Sequence, residues 1–117
     1  MKFLYALIFF VFLSPVSFGQ GRVSELINSL PNAGTDSARI SLYKRIMTYY
    51  SARNVDSQNW YADQAIRFSR SKNYKKGEAD IMAQLSLAYK SQGRPESAEQ
   101  NVSAALDLYR EINDRKG

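Results

Sequence analysis

The sequence predicts an all-α fold in which antiparallel helix hairpins form about two repeats after a short lead-in helix. Apolar side chains recur every three or four positions in four segments between residues 35 and 113, which is the spacing of amphipathic helices. Short turns separate these segments, and short turns make neighbouring helices antiparallel. Residues 73–77 and 113–117 have similar sequences forty positions apart, and a period of this size is typical of stacked helical repeats.

The composition excludes several kinds of chemistry. The 117 residues include no cysteine and no histidine. Disulfides, thiolate metal sites, cysteine nucleophiles and histidine-based catalysis are therefore excluded. We expect one small domain that is not an enzyme and that holds no metal or cofactor. An enzyme using the carboxylates of Asp63, Glu78 and Asp80 is the weaker alternative, because no spacing joins a nucleophile, a base and an oxyanion donor.

The positive charge is concentrated in the first half of the chain. The formal net charge is +5. Residues 35–76 contain 9 basic and 3 acidic groups, which gives +6, whereas residues 77–117 contain 5 basic and 7 acidic groups, which gives −2. A chain polarised in this way differs from a general nucleic-acid coat. It leaves room for an acidic partner near the first half.

Residues 1–19 have the three-part order of a secretory signal peptide. Lys2 precedes an apolar run at residues 3–13, which is too short to span a bilayer, and Ser17 and Gly19 suit the −3 and −1 positions of a cleavage site. We expect an exported protein, either periplasmic or secreted. An uncleaved leader that anchors the chain is the alternative, and it is the only membrane contact that we expect.

Residues 20–34 are predicted to form a lead-in helix and a linker. From Arg22 to Leu30 the apolar residues fall at helical spacing, and a Pro-Asn-Ala-Gly segment at residues 31–34 ends the helix. A helix this short requires packing to be stable. We expect it to cover the exposed end of the first repeat, and a peptide-like arm for a partner is the alternative.

Residues 35–76 are predicted to form the first repeat. Thr35 or Asp36 can cap its first helix, which runs to about Ala52, because a side-chain oxygen there accepts from a free backbone amide. The apolar residues of this helix are Ile40, Leu42, Tyr43, Ile46, Met47, Tyr49 and Tyr50.

The second helix of this repeat follows a turn at residues 53–56. Asp56 or Ser57 is its expected cap, and it ends near Lys72. Its apolar residues are Trp60, Tyr61, Ala62, Ala65, Ile66 and Phe68. We expect the aromatic residues of both repeats to pack between helices rather than to form a ligand box; these are Tyr43, Tyr49, Tyr50, Trp60, Tyr61, Tyr89 and Tyr109.

Residues 77–117 are predicted to form the second repeat, ending where a third would begin. Gly93 is expected to end its first helix in a left-handed conformation, and Pro95 to occupy the first turn of its second helix. The predicted core residues are Ala79, Met82, Leu85 and Tyr89 in the first helix, then Ala98, Val102, Ala105, Leu106 and Tyr109 in the second.

The second repeat resembles the tetratricopeptide repeat family. The residues that carry the resemblance are Leu85, Ser86, Tyr89, Gly93, Ala98, Val102, Ala105 and Leu106. The first repeat departs from the family pattern. Met47 occupies a position that is usually small, Arg53 replaces the turn glycine, and Gln58 stands near an expected alanine. We therefore expect the first helix pair to be the looser one.

The chain from Gln20 onwards also resembles the exported sensory regions of bacterial two-component histidine kinases. A leader, a short helix, a Thr-Asp-Ser-Ala-Arg segment at residues 35–39 and long tetratricopeptide-like repeats follow in the same order. This resemblance implies the alternative function, which is the truncated N-terminal sensory region of a signalling kinase.

The basic segment at residues 67–76 raises the question of nucleic-acid binding. It contains five basic and two aromatic residues. Cations at a helix C-terminus are ordinary, because they complement the helix dipole. We expect no nucleic-acid partner here, and an acidic protein segment or envelope polymer fits the charge better.

The tetratricopeptide resemblance implies an inner face that binds a protein or peptide partner. The residues that it assigns to this face are Ser41, Lys44, Thr48, Ser51, Asp80, Ala83, Leu87, Lys90 and Ser91. An ordinary solvated helix face is the equal alternative. Two repeats are fewer than the three or so that usually bury a continuous core. We therefore expect either a longer array or self-association through the uncapped helix at residues 98–113.

Overall fold

The computed structural model describes the backbone of residues 18–116 and the side chains of residues 21–114. All regular structure within this part of the chain is helical, which confirms the predicted all-α class. The helices are α1 (Phe18–Ser29), a 3₁₀ turn (Leu30–Asn32), α2 (Asp36–Ser51), α3 (Val55–Ser71), α4 (Lys75–Ser91) and α5 (Pro95–Lys116). Residues 1–17 of the predicted leader lie outside the described residues. None of these helices is both long enough and apolar enough to cross a bilayer.

The helix starts follow local capping chemistry. The Thr35 hydroxyl accepts a hydrogen bond from the Ala38 amide at 3.0 Å, so Thr35 is the N-cap of α2. The predicted cap of α3 was wrong. Asn54 caps this helix instead of Asp56 or Ser57, because its side-chain oxygen accepts from the Ser57 amide at 3.1 Å. An asparagine in extended backbone is among the most favourable N-caps.

Two helices end in a left-handed residue. Gly93 has a φ of 72°, as predicted, and the Arg94 amide donates back to the Tyr89 carbonyl at 2.8 Å. Asn73 has a φ of 52° and makes the same kind of turn at the end of α3. Glycine adopts this conformation freely, and asparagine tolerates it better than most residues. Pro95 is the first residue of α5, which also matches the prediction.

Consecutive helices from α2 to α5 run in opposite directions. Tyr50 near the end of α2 stacks on Tyr61 near the start of α3, with ring centroids 5.7 Å apart. Lys75 at the start of α4 forms a 2.5 Å ion pair with Glu111 near the end of α5. Short turns between the helices leave the chain no other simple course.

Helices α2 and α4 lie side by side and point the same way. The Gln84 side-chain amide donates to the Lys44 carbonyl at 2.8 Å, and the Gln92 amide donates to the Ser51 carbonyl at 3.2 Å. The two pairs are 40 and 41 residues apart in the sequence. A groove therefore opens between α2 and α4, with α3 beneath it.

The main core is built from the middle three helices. Its buried members are Ile40, Tyr43, Met47, Ala62, Ala65, Ile81 and Leu85. Helix α1 covers one end of the core, where Val23 is buried. The 3₁₀ turn is tied to α2 because the Arg39 guanidinium donates to the Leu30 carbonyl at 2.9 Å.

Three predicted core residues are exposed. Val102 and Leu106 of α5 are 40% and 47% exposed, and Trp60 of α3 is 57% exposed. Helix α5 packs on α4 through Ala98 and Ala105, and no described element covers its opposite face. The apolar pattern of α5 therefore predicted a wider buried face than the one that packs on α4.

Candidate functional site

The groove between α2 and α4, called the main groove below, is the best-formed concavity among the described residues. It has a volume of about 350 Å³. Its walls come from one face of α2 and one face of α4, and Gln58 of α3 contributes to its floor. The lining residues are Met47, Thr48, Ser51, Ala52, Gln58, Gln84, Leu87, Ala88, Ser91 and Gln92.

Four of the predicted partner-binding residues lie together in this groove. Thr48 and Ser51 come from α2, and Leu87 and Ser91 come from α4. Leu87 is 68% exposed, which is a high value for a leucine in the middle of a helix. A solvent-exposed apolar side chain in a concave wall provides an anchor for an apolar group of a ligand.

The other predicted residues do not line the groove. Ser41 and Lys90 are exposed, Lys44 and Ala83 are half-buried, and Lys44 contributes only its carbonyl to the Gln84 hydrogen bond. Asp80 faces α5, where its carboxylate accepts from the Tyr109 hydroxyl and pairs with Lys76 at 3.0 Å. The helical register places Asp80 on the same side of α4, but the α5 contact already occupies its carboxylate.

A network of glutamine side chains forms the polar part of the floor, and the sequence did not predict it. Gln58 is completely buried. Gln92 donates to the Gln58 amide oxygen at 3.1 Å and to the Ser51 carbonyl at 3.2 Å. The Gln58 amide group then donates to Asn59 at 3.2 Å. The departure of Gln58 from an expected alanine was the signal that could have identified this network.

The network leaves one buried acceptor without a donor. Both hydrogens of the Gln92 amide nitrogen are used, so its oxygen points the other way. This oxygen is buried and accepts no hydrogen bond from the described residues. A buried polar atom without a partner is costly, so this oxygen reduces the stability that the network contributes.

A second concavity, called the α1–α2 cleft below, adjoins the main groove. It has a volume of about 290 Å³. Its lining residues are Arg22, Val23, Leu26, Arg45, Thr48 and Tyr49. Thr48 lines both concavities, so the two meet along the exposed edge of α2.

The basic residues fall into two groups with different partners. Four of the five cations at residues 67–76 form ion pairs with carboxylates: Arg67 with Asp63, Arg70 with Glu78, Lys75 with Glu111 and Lys76 with Asp80. By contrast, no carboxylate of the described residues pairs with Arg22 or Arg45 at the α1–α2 cleft. The cations of these two regions that lack a carboxylate partner among the described residues are therefore Arg22 and Arg45 at the cleft and Lys72 in the predicted basic segment.

The carboxylates are used in surface and helix-end contacts. Asp63, Glu78 and Asp80 each pair with a different cation. Within residues 21–114 no group of three acidic side chains is arranged to hold a metal ion. Other exposed acidic residues include Glu25 on α1, Asp36 on α2 and Asp56 on α3. On α5, Glu96, Glu99 and Asp107 border a shallow open depression.

Several tyrosines have altered acidity. Burial, then the hydrogen bond to Asp80 and the charge of that carboxylate, raise the pKa of Tyr109 to about 12. Burial also raises the pKa of Tyr43 and Tyr61 above the ordinary value. The hydrogen bond to Asp80 raises the pKa of Lys76. All four groups titrate far from neutral pH, so they stabilise the fold rather than transfer protons.

Comparison with protein-family models, with curated proteins and with solved structures finds no match to this chain.

Proposed function

We propose that the chain is an exported, non-catalytic interaction module of the tetratricopeptide type that binds an extended peptide segment of a partner protein in the main groove. The observation that carries the proposal is the groove itself. It combines an exposed leucine, Leu87, with the polar side chains of Thr48, Ser51 and Gln92. An extended peptide supplies both an apolar side chain and backbone N–H groups.

Two features support a repeat arrangement. The hydrogen bonds between α2 and α4 join residues 40 and 41 positions apart, close to the forty-residue period in the sequence. The turns before α4 and before α5 both contain a left-handed residue, Asn73 and Gly93, at the same place relative to the next helix. In this proposal α2 with α3 and α4 with α5 are two copies of one helix hairpin.

The lining chemistry supports binding rather than catalysis. The groove is lined by amides, hydroxyls and apolar groups, and its lining includes no acidic or basic side chain. Such groups position a ligand through hydrogen bonds and apolar contacts, but they supply no general acid or base. Export rests on residues 1–19, whose order of charged, apolar and small residues is that of a signal peptide.

Selection of binding peptides from a random library displayed on phage tests the proposal. The full chain is immobilised, selected peptides are synthesised with a fluorescent label, and binding is measured by fluorescence polarisation. We expect Leu87→Glu to weaken binding of the selected peptides by at least about tenfold, because it removes the apolar anchor and buries a charge against the ligand.

Leu106→Glu is the matched control. Leu106 is also an exposed leucine, at 47%, but it lies on α5 away from the main groove. We expect this variant to bind selected peptides as the parent chain does. Loss of binding in Leu106→Glu with retention in Leu87→Glu would place the binding surface on α5 and contradict the proposal.

A further inference from the structure

The main groove and the α1–α2 cleft share one lining residue and differ in their chemistry. Thr48 lines both, and it is exposed. Leu87 and uncharged polar side chains line the main groove, whereas Arg22 and Arg45 line the cleft. A ligand that crosses Thr48 from the groove to the cleft meets apolar and uncharged polar groups first and positive charge next.

Arg22 and Arg45 at the cleft are exposed cations that a negative group of a ligand can contact. Neither Arg22 nor Arg45 pairs with a carboxylate of the described residues, although most cations of residues 67–76 do. Asp36 is the only acidic residue of α2, and it lies in the first turn. The cations flank an apolar interior formed by Val23 and Leu26 with the Tyr49 ring. This combination suits an acidic group next to an apolar one.

The shape favours an extended segment over two other acidic ligands. A helix has a diameter of about 10–12 Å, so the acidic helix of a second copy would lie over a cleft of about 290 Å³ without entering it. Proteins that bind single-stranded nucleic acid commonly add base stacking on open aromatic faces to their phosphate contacts. Tyr49 offers none, because the Arg53 guanidinium lies over its ring at 4.3 Å and Tyr50 packs edge-on against it.

We propose that an extended peptide bound in the main groove continues past Thr48 into the α1–α2 cleft, with an apolar side chain in the main groove and neighbouring acidic side chains against Arg22 and Arg45. The inference rests on the peptide-binding function proposed above and adds the charge of the ligand and its direction. The acidic residues lie at the α1–α2 cleft, and the apolar side chain lies beside Leu87.

Three labelled nine-residue peptides test the inference by fluorescence polarisation with the full chain. All contain one central leucine, and the three positions beside it are aspartate, asparagine or lysine, each synthesised in both orders. At about 0.01 M salt, where the Debye length is about 30 Å, we expect the aspartate peptide to bind about tenfold more tightly than the asparagine peptide. This preference should fall to about twofold at about 1 M salt, because exposed charges are then screened.

Arg45→Gln and Lys72→Gln form a matched pair of variants. Both remove one exposed cation that has no carboxylate partner in the described chain, but Lys72 lies at the end of α3, outside both concavities. We expect Arg45→Gln to weaken the aspartate peptide about three- to fivefold without changing the asparagine peptide. Lys72→Gln should leave both affinities unchanged, and circular-dichroism melts confirm that both variants fold.

The outcomes separate this inference from the function on which it rests. Equal binding of the three peptides, still abolished by Leu87→Glu, overturns the acidic preference and leaves the groove function intact. Absence of binding for all peptides, selected ones included, overturns both. An oligonucleotide that competes through Arg45 as well as the aspartate peptide does would assign the cleft to nucleic acid. A dimer that dissociates in Arg45→Gln would assign it to a second copy.

Discussion

Two glutamine side chains decide how three helices meet beneath the main groove. The tetratricopeptide pattern that the sequence resembles has alanine near the position of Gln58. The larger glutamine side chain therefore predicted a looser first helix pair. The structure buries Gln58 completely and gives its amide oxygen a donor from Gln92 at 3.1 Å. A hydrogen-bonded amide therefore fills the space that small residues would close by direct contact. Buried polar groups of this kind stabilise a fold only when their partners are present.

The Tyr109 hydroxyl should contribute to the pH dependence of the free energy of unfolding at high pH. Its pKa is raised from 10.0 to about 12, first by burial and then by Asp80. The folded chain therefore holds the phenolic proton more tightly than the unfolded chain. This contribution is complete below about pH 10 and is lost as the pH rises through about 12. We expect Tyr109→Phe to lose less stability than the parent chain over this range, as measured by urea unfolding at each pH.

The comparison of the two proteins separates Tyr109 from Tyr43 and Tyr61, whose raised pKa values contribute to both proteins. Lys76 shares the Asp80 carboxylate with Tyr109, so its raised pKa belongs to the same cluster. At neutral pH we expect Tyr109→Phe to be less stable by about 1 kcal/mol, the usual net value of a hydrogen bond. Parallel stability profiles for the two proteins from pH 8 to 12 would contradict the raised pKa of Tyr109.

Helix ends were predicted from the sequence where a single residue type determines them. Gly93 and Pro95 have the predicted roles because each has one strong conformational preference, and Thr35 is one of the two caps predicted for α2. The start of α3 was missed. Asn54 is followed by Asp56 and Ser57, so three good caps compete, and the preceding turn decides between them. Asn73 was missed because asparagine only tolerates the left-handed conformation, whereas glycine favours it.

The same substitution at two adjacent positions of α5 should have very different effects on stability, because the two side chains lie on different faces of the helix. Ala105 is 1% exposed and packs toward α4, whereas Leu106 is 47% exposed. We expect Ala105→Arg to destabilise the chain by about 3 kcal/mol or more, because it buries an unpaired charge in a site sized for alanine. Leu106→Arg should change stability by less than about 0.5 kcal/mol. Thermal melts followed by circular dichroism measure both, and equal melts for the two variants would contradict this register.

Across the whole molecule, protection of backbone amide hydrogens from exchange should be strongest in the middle helices. Every buried member of the main core cluster comes from α2, α3 or α4. Local opening requires the least free energy where few buried apolar contacts must be broken. We therefore expect amide hydrogens of α3 and α4 to exchange slowest, and those of α1 and of α5 after Tyr109 to exchange fastest. Hydrogen exchange followed by mass spectrometry measures the order, and slowest exchange in α5 would contradict it.

The sequence predicted the helical class, because it depends on periodicity along single helices. The tetratricopeptide resemblance assigned Thr48, Ser51, Leu87 and Ser91 to an inner face, and these four line the main groove. The rest depends on which helix covers which face. A spacing pattern cannot show that α5 leaves Val102 and Leu106 uncovered, nor that the side chain of Asp80 is occupied by α5.

In the proposed mode of binding, the position of Thr48 has a consequence for affinity. Because one residue lines both concavities, a peptide held in the main groove would present its next residues to the α1–α2 cleft at a high effective concentration, of the order of millimolar for short flexible connections. Two individually weak contacts would then reinforce each other without a large interface.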